Sequence, residues 1–273
     1  MPEGHTILRL AREHQKLFKG TVLHVDSPQG KFAEGAELLD GGRLIGVQAF
    51  GKHSLHRFRP FEDGPPRFDL WLHVHLGLYG KWVTGTVPLP EVVGQVRLRI
   101  WNDEHFAQLR GATVSEVLTA EAVKALQARL GEDPLKSKDA GATSYAKVSR
   151  STKAIGLLLM DQAVMAGVGN VYRAEILFVH RIDPHRPGNQ VSHEQWQSLW
   201  ADLITLMRAG VRAGRIVTTA PADREKVRGP VRRDDAHYVY RRHGMPCRIC
   251  GTEILMEEFG GRRLYRCPTC QAA

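Results

Sequence analysis

The sequence predicts an α+β, multidomain protein, and three observations carry that prediction. After one helix, short strand-like runs dominate the first half; apolar helical periods dominate the second; and all four cysteines fall within the last 27 residues. A chain of 273 residues can bury one large core or two smaller ones. Its 42% hydrophobic and 25% charged content is ordinary for a globular protein. No apolar stretch nears the ~18 residues of a membrane span. The start also lacks a basic-then-apolar leader, so a cytoplasmic location with no membrane partner is expected.

Ile7, Leu10, Ala11, His14, Leu17 and Phe18 recur at helical spacing, predicting a helix over 5–19 with Gly20 as its stop. TVLHVDS, RLIGVQAF, SLHRFR, DLWLHVHL, GKWVTG and QVRLRIW are β-rich runs parted by Gly, Pro and Asp, the pattern of a β-sandwich over roughly 20–111. His73 and His75 share one face of such a strand. A His-x-His metal site would want a matching carboxylate cluster, so structural or DNA-facing histidines are preferred. VKALQARLG predicts a further helix, and residues 136–153 a basic connector with some helical content. AIGLLLMDQAVMAG, NVYRAEILFVHR and SHEQWQSLWADLITLMRAGVRAG predict helices, the last opened by a capping box of Ser192 and Gln195. Residues 216–236, polar and Arg-rich, predict a long mobile loop.

The net charge of +9 favours a polyanionic partner, nucleic acid before membrane. From Arg208 onward, 14 Arg and Lys face 7 Asp and Glu, so +7 of the excess lies there. Such a surface suits phosphates, because each neutralised phosphate releases counterions. Cys247, Cys250, Cys267 and Cys270 form two C-x2-C pairs sixteen residues apart, a spacing that converges on one zinc ion. Four thiolates close the coordination shell, so one structural Zn2+ per chain is expected.

In MAGVGNVYRAEIL two apolar helices meet at a turn holding Gly167 and Gly169, with Asn170 placed to cap the second. The free N–H groups there would suit a DNA phosphate; an ordinary helical hairpin reads equally well. Gly260–Gly261 predicts a hairpin turn presenting Arg262 and Arg263, either to a phosphate or reacting sugar, or simply to water. Lys52 is an ordinary surface charge unless Pro2 lies near it. Pro2 and Glu3 suit a helix start, yet also suit chemistry. With Met1 removed, the Pro2 amine would titrate near pH 7.7–8.0 as α-amines do, and would be partly neutral and nucleophilic. Glu3 could then move protons during attack on a sugar carbon.

PEG at the start, GKH, HLGLYG, GEDPL, LLMDQAVMAGVGNVYRAEIL and GRRLYRCPTC occur in an order that resembles the formamidopyrimidine-DNA glycosylase and endonuclease VIII family across essentially the whole chain. PEGH is similar to the actinobacterial endonuclease VIII branch. The resemblance implies an N-terminal helix plus two-layer β-sandwich (2–131), a helix–two-turns–helix DNA-binding domain (132–236) and a four-Cys β-ribbon zinc finger (237–273). It implies a bifunctional DNA glycosylase/AP lyase acting on oxidised bases, pyrimidines favoured, with Pro2 as Schiff-base nucleophile and Glu3 as general acid/base. Elimination would be β or β,δ, with Lys52 assisting the first step and Arg262 the second. Arg129 and Asn170 would bind the DNA backbone. The expected partner is damaged DNA, bound by a monomer, with the damaged nucleotide flipped out. A non-catalytic damaged-DNA-binding protein on the same scaffold is the alternative. Two departures stand out. His5-Thr6 replace the usual Pro-Glu, and the wedge reads Gly77-Leu78-Tyr79 where Gln-Leu-Tyr is usual. Leu78 and Tyr79 would still fill the space of an extruded base, but Gly77 has no side chain for the opposite strand. Weaker opposite-base discrimination, and tolerance of single-stranded or bubble DNA, are expected.

Overall fold

The computed structural model describes residues 2–60 and 64–272, so Met1, whose removal the amine chemistry requires, and Ala273 lie outside the described residues. The chain divides into two compact units, 1–129 and 130–273.

In the first unit, helix α1 (Gly4–Phe18) ends one residue short of the expected span, and Gly20 follows at φ +85°. The strands are β1 (His24–Asp26), β2 (Arg43–Phe50), β3 (His53–Arg59), β4 (Leu70–His75), β5 (Lys81–Thr86), β6 (Val96–Trp101), β7 (His105–Arg110) and β8 (Val114–Leu118). They form two antiparallel four-stranded sheets, ordered β1-β6-β7-β5 and β2-β3-β4-β8. The strand region thus runs past the expected residue 111, and a short helix α2 (Ala33–Leu39) interrupts it. Leu44, Phe58, Leu72 and Val74 of one sheet meet Leu98, Ile100, Ala107 and Leu109 of the other in one buried cluster. Ile7, Ala11 and Phe18 of α1 join that cluster, which explains the helical spacing of those residues. The outer face of β2-β3-β4-β8 carries Leu55 and Trp71, which pack under Val123 and Leu126 of helix α3 (Ala120–Ala128).

The second unit holds helices α4 (Ala142–Val148), α5 (Ile155–Leu158), α6 (Asn170–Val179) and α7 (His193–Ala213), then strands β9 (Leu255–Phe259) and β10 (Arg262–Arg266). The capping box forms: Gln195 N–H donates to Ser192 Oγ at 3.1 Å, and Ser192 N–H to Gln195 Oε1 at 3.1 Å. The expected helix over AIGLLLMDQAVMAG is only the single turn of α5, followed by buried turns. A continuous apolar run reports burial, and burial alone does not distinguish helix from buried turns. Trp196, Leu199, Trp200, Leu203 and Met207 of α7 form the core with Tyr172, Ile176 and Leu177 of α6. Residues 216–236 are irregular apart from one 3-10 turn, but their ends are tied. Thr218 N–H donates to the Ala236 carbonyl at 2.8 Å, and the Thr218 hydroxyl donates to Glu175.

Candidate active site and nucleic-acid interface

Glu3 is the N-cap of α1, and its carbonyl accepts the Thr6 N–H at 2.8 Å. Its side chain is fully buried at the positive end of the helix, and Pro2 is partly exposed beside it. Lys52 sits in the turn joining β2 to β3. The register shows how these ends relate. Gly20, after the helix, donates to the Leu44 carbonyl at 2.8 Å, and Val47 N–H donates to Gln15 Oε1 at 2.6 Å. Helix and strand therefore run antiparallel. Going back from Gln15 to Glu3 covers about 18 Å of helix. Going on from Val47 to Lys52 covers about 16 Å of strand, so the two ends come level.

The same end of the sheet gathers two more candidates. His53 pairs with His75 across β3 and β4, so the turn after His75 lies beside the Lys52 turn. That turn carries Leu78 and Tyr79, 44% and 86% exposed. Gly77 lies at φ +67°, and a Cβ there would fall 1.8 Å from Thr113 Oγ1, which accounts for glycine at this position. Arg129, exposed just past α3, places its charge near His53, as Lys52 does. Burial first, then the charges of His73, His75, Lys52 and Arg129, push His53 down to about 3. His5 is buried beside Glu3, and burial lowers it to about 4; its Nε2 lies 3.1 Å from Thr6 Oγ1. His73 is not solvent-facing: it is buried and hydrogen-bonded to His53 and Glu116.

In the second unit, Gly167 has φ +93°, as the turn reading anticipated, whereas Gly169 is extended. Asn170 does not cap α6; the N-cap is Gly169, and Asn170 is the first helical residue. Its amide instead donates to the Arg263 carbonyl in β10 at 2.8 Å, while its Oδ1 accepts from buried Arg173. The helix start and the finger hairpin are thereby joined. Gly260 and Gly261 have φ +62° and +69°, the left-handed pair of a tight hairpin turn, and Arg262 and Arg263 stand exposed beside it.

The four thiolate positions fit zinc. All four sulfurs lie within 4.8 Å of one another, with Cys247–Cys270 at 3.9 Å and Cys250–Cys267 at 3.4 Å. Tetrahedral Zn–S bonds of ~2.3 Å require sulfur–sulfur edges near 3.8 Å. Cys270 N–H points to Cys267 Sγ at 3.4 Å, a backbone donor of the kind that orients metal-bound sulfur. One structural Zn2+ is therefore held here, with no open coordination position for chemistry.

Sequence reasoning missed Glu175. Wholly buried in α6, it accepts the N–H groups of Tyr238 at 2.7 Å, Val239 at 2.9 Å and Tyr240 at 2.7 Å, besides the Thr218 hydroxyl. The signal was an acid inside the apolar run YRAEILF.

Family models match three successive stretches: the formamidopyrimidine-DNA glycosylase N-terminal domain at 1–113, its H2TH domain at 130–221, and a zinc finger found in FPG and IleRS at 244–273. The chain is 44% identical over 275 residues to Endonuclease 8 1 of Mycobacterium tuberculosis, covering 99% of this chain and 100% of the relative. The chain belongs to the formamidopyrimidine-DNA glycosylase/endonuclease VIII family. The formamidopyrimidine-DNA glycosylase of Thermus thermophilus is 33% identical over 276 residues, covering 99% of this chain and 98% of the relative. The higher identity lies on the endonuclease VIII side. The fold matches Lactococcus lactis Fpg, solved in complex with DNA containing an abasic site, at TM-score 0.81 and 21% identity, covering 99% of this chain and 100% of that one. This family member is a DNA glycosylase of base-excision repair. Among its described residues no helix is long and apolar enough to cross a membrane.

Proposed function

We propose that the protein removes oxidised bases, pyrimidines before purines, and cleaves the resulting abasic site through a Schiff base on Pro2, acting as a monomer on chromosomal DNA in the cytoplasm. The observation that carries this reading is the levelling of the α1 start with the β2–β3 turn, which sets amine and buried acid at the same end of the sheet as Lys52. With Met1 removed, Pro2 attacks C1′ of the damaged nucleotide; the base leaves, and an iminium links protein to sugar. Glu3 moves protons during sugar opening. Loss of the C2′ proton then expels the 3′ phosphate. Lys52 and Arg129 carry positive charge for phosphates flanking the lesion, and Leu78 with Tyr79 fills the gap left by the flipped nucleotide. In the second unit, the N–H groups at the start of α6 grip the backbone, and Arg262 serves a δ-elimination. Gly77 offers nothing to the opposite strand, so bubble and single-stranded DNA are accepted alongside duplex.

Borohydride trapping tests the chemistry. Wild-type protein, shown by mass spectrometry to lack Met1, should form a covalent adduct with abasic DNA. Pro2→Gly and Glu3→Gln should lose base excision while still binding abasic DNA. Absence of a wild-type adduct would leave a non-catalytic damage-binding protein.

A further inference from the structure

One side chain of the zinc finger reaches out of its metal knuckle and closes the base of the basic loop. Arg248 lies between Cys247 and Cys250, in a turn shut by Cys247 N–H on the Thr252 carbonyl at 2.8 Å and Gly251 N–H on the Cys247 carbonyl at 2.9 Å. Its guanidinium meets both arms of the loop. On the incoming arm, Nη1 donates to the Asp223 carbonyl at 3.3 Å. On the returning arm, Nη2 donates to the Asp234 carbonyl at 2.7 Å and Nε to the His237 carbonyl at 3.4 Å. Nη2 also pairs with the Asp235 carboxylate at 3.1 Å, and the two side chains are only 7% and 1% exposed.

Asp235 carries that hold across the loop. Its Oδ1 accepts the Glu225 N–H at 3.1 Å, and its Oδ2 accepts the Lys226 N–H at 3.4 Å. A guanidinium suits this work because its donors lie in one plane at fixed angles, whereas a lysine offers a compact point charge. Without the guanidinium, Asp235 is a buried carboxylate deprived of its hydrogen-bonded cation, so the loop base opens to hydrate it. Without the metal, the knuckle has too little core to stay folded, and Arg248 loses the backbone that aims it. Other ties hold the loop elsewhere. The Thr218 hydroxyl and Tyr238 N–H sit on Glu175, the Tyr238 hydroxyl donates to Asp223 Oδ2 at 2.6 Å, and Arg215 donates to the Val231 carbonyl at 2.7 Å. None of these reaches Glu225, Lys226 or Asp235. Beyond the base, Lys226, Arg228, Arg232 and Arg233 stand exposed, with Glu225 the sole acid from 225 to 233.

We propose that Arg248 couples the zinc ion to this loop, so that the cations of 226–233 are presented to nucleic-acid phosphates only while the metal is bound. The knuckle and the loop base order together. A released loop keeps its charge but has to be ordered by the DNA at each encounter, which weakens binding. By linkage the coupling is reciprocal: whatever the metal contributes to loop order, loop order contributes to metal affinity. Arg248 acts through the loop and is a positioning residue. The phosphate contact rests on the reading that the second unit grips the DNA backbone, and the coupling of metal to loop stands apart from it.

Hydrogen–deuterium exchange of the full zinc-loaded chain, read at the Glu225 and Lys226 amides, tests the coupling. Arg248→Met should keep its zinc yet exchange these amides about tenfold faster than wild type. Chelating zinc from the wild type should give the same rise, and chelating it from Arg248→Met should add little at these two positions. Arg248→Lys keeps the charge without the fork and should not restore protection. Asp235→Ala cuts the clasp from the loop side, outside the finger's cysteines. It should still lower zinc affinity about tenfold in competition with a chromophoric chelator, a shift that a loop unconnected to the metal would not produce. Binding of abasic-site duplex across a salt series reads the phosphates. Arg248→Met and Asp235→Ala should bind more weakly, with a slope of log affinity against log salt shallower by about two. Protected amides in Arg248→Met or Arg248→Lys, or wild-type zinc affinity in Asp235→Ala, would overturn the coupling. An unchanged salt slope in a variant whose loop has opened would overturn the phosphate contact. A wild type that did not bind abasic DNA would instead remove the DNA-gripping reading, and the exchange and zinc competition would still decide the coupling.

Discussion

Glu175→Gln should be among the most damaging single substitutions in the second unit. Its two carboxylate oxygens accept three backbone N–H groups at 2.7–2.9 Å and the Thr218 hydroxyl, with no exposure to water. Three backbone N–H donors and a hydroxyl suit a carboxylate better than an amide. If Oε2 becomes NH2, the Tyr238 N–H faces another donor, while the Thr218 hydroxyl can turn its hydrogen to the Ala236 carbonyl and accept; if Oε1 does, both the Val239 and Tyr240 N–H groups lose their acceptor, and in either case the remaining bonds lose their charge. Bonds to a charged acceptor contribute about 1.5–3 kcal/mol each, so the cost is about 3–5 kcal/mol after some relaxation. For a chain of this length that corresponds to a Tm lower by roughly 10 °C. Thermal unfolding followed by far-UV circular dichroism at saturating zinc measures it. Because Tyr238–Tyr240 lead into the finger, abasic-DNA affinity should fall in parallel. A Tm within about 2 °C of wild type would show that water or neighbouring carbonyls satisfy these donors, and would refute the reasoning.

Acid should weaken the first unit through its buried histidines. His14 Nδ1 lies 2.8 Å from His56 Nε2, both rings are buried, and His14 meets Trp82 edge-on at 4.8 Å. Burial holds His14 well below 6.5 and His56 down to about 4. Lowered folded-state values give stability that is complete above pH 6.5 and is lost as pH falls towards 4. At pH 4.5 His56 alone removes about 2.5 kcal/mol. Urea unfolding followed by tryptophan fluorescence should show that slope, and His56→Phe should flatten it; an equal slope in the variant would contradict the assignment. Gly77→Gln alone should destabilise by about 1–2 kcal/mol, because the left-handed backbone resists a side chain and Thr113 must move. Adding Thr113→Ala should recover the steric part and raise opposite-base discrimination in excision kinetics; no gain in discrimination would argue against this position as the reader of the opposite strand. Cys267→Ser should abolish bound zinc, measured by atomic absorption, and weaken DNA binding about tenfold or more. Full zinc content at wild-type affinity would show that three thiolates suffice.

Features set by neighbours in sequence were legible beforehand. The Ser192–Gln195 capping box, the Gly20 stop, the Gly260–Gly261 turn and the paired cysteines depend on residues a few positions apart, or on a spacing that only a metal explains. The reading failed where partners are distant. Asn170 has the composition of a cap, but its amide is taken by a carbonyl 93 residues away. Glu175 serves backbone groups up to 65 residues on. The link from Glu116 to His73 and His53 exists only because strand register aligns them, and no local pattern specifies that register in advance. At the candidate site, Pro2, Glu3 and Lys52 could be named as candidates from the sequence. Their common end of the sheet was not, since it follows from the direction in which α1 lies along β2.

The tie from Asn170 to the Arg263 carbonyl changes what residues 216–236 are for. The finger hairpin is seated by that hydrogen bond, by the Glu175 contacts, and by Phe178 packing on Tyr238, so its position does not depend on the length of chain that leads to it. The exposed stretch 225–230 is therefore a spare length of rope between two moored points. Evolution or an engineer can lengthen it or graft a peptide into it, while the arginine tip and the helix start keep a fixed spacing from each other.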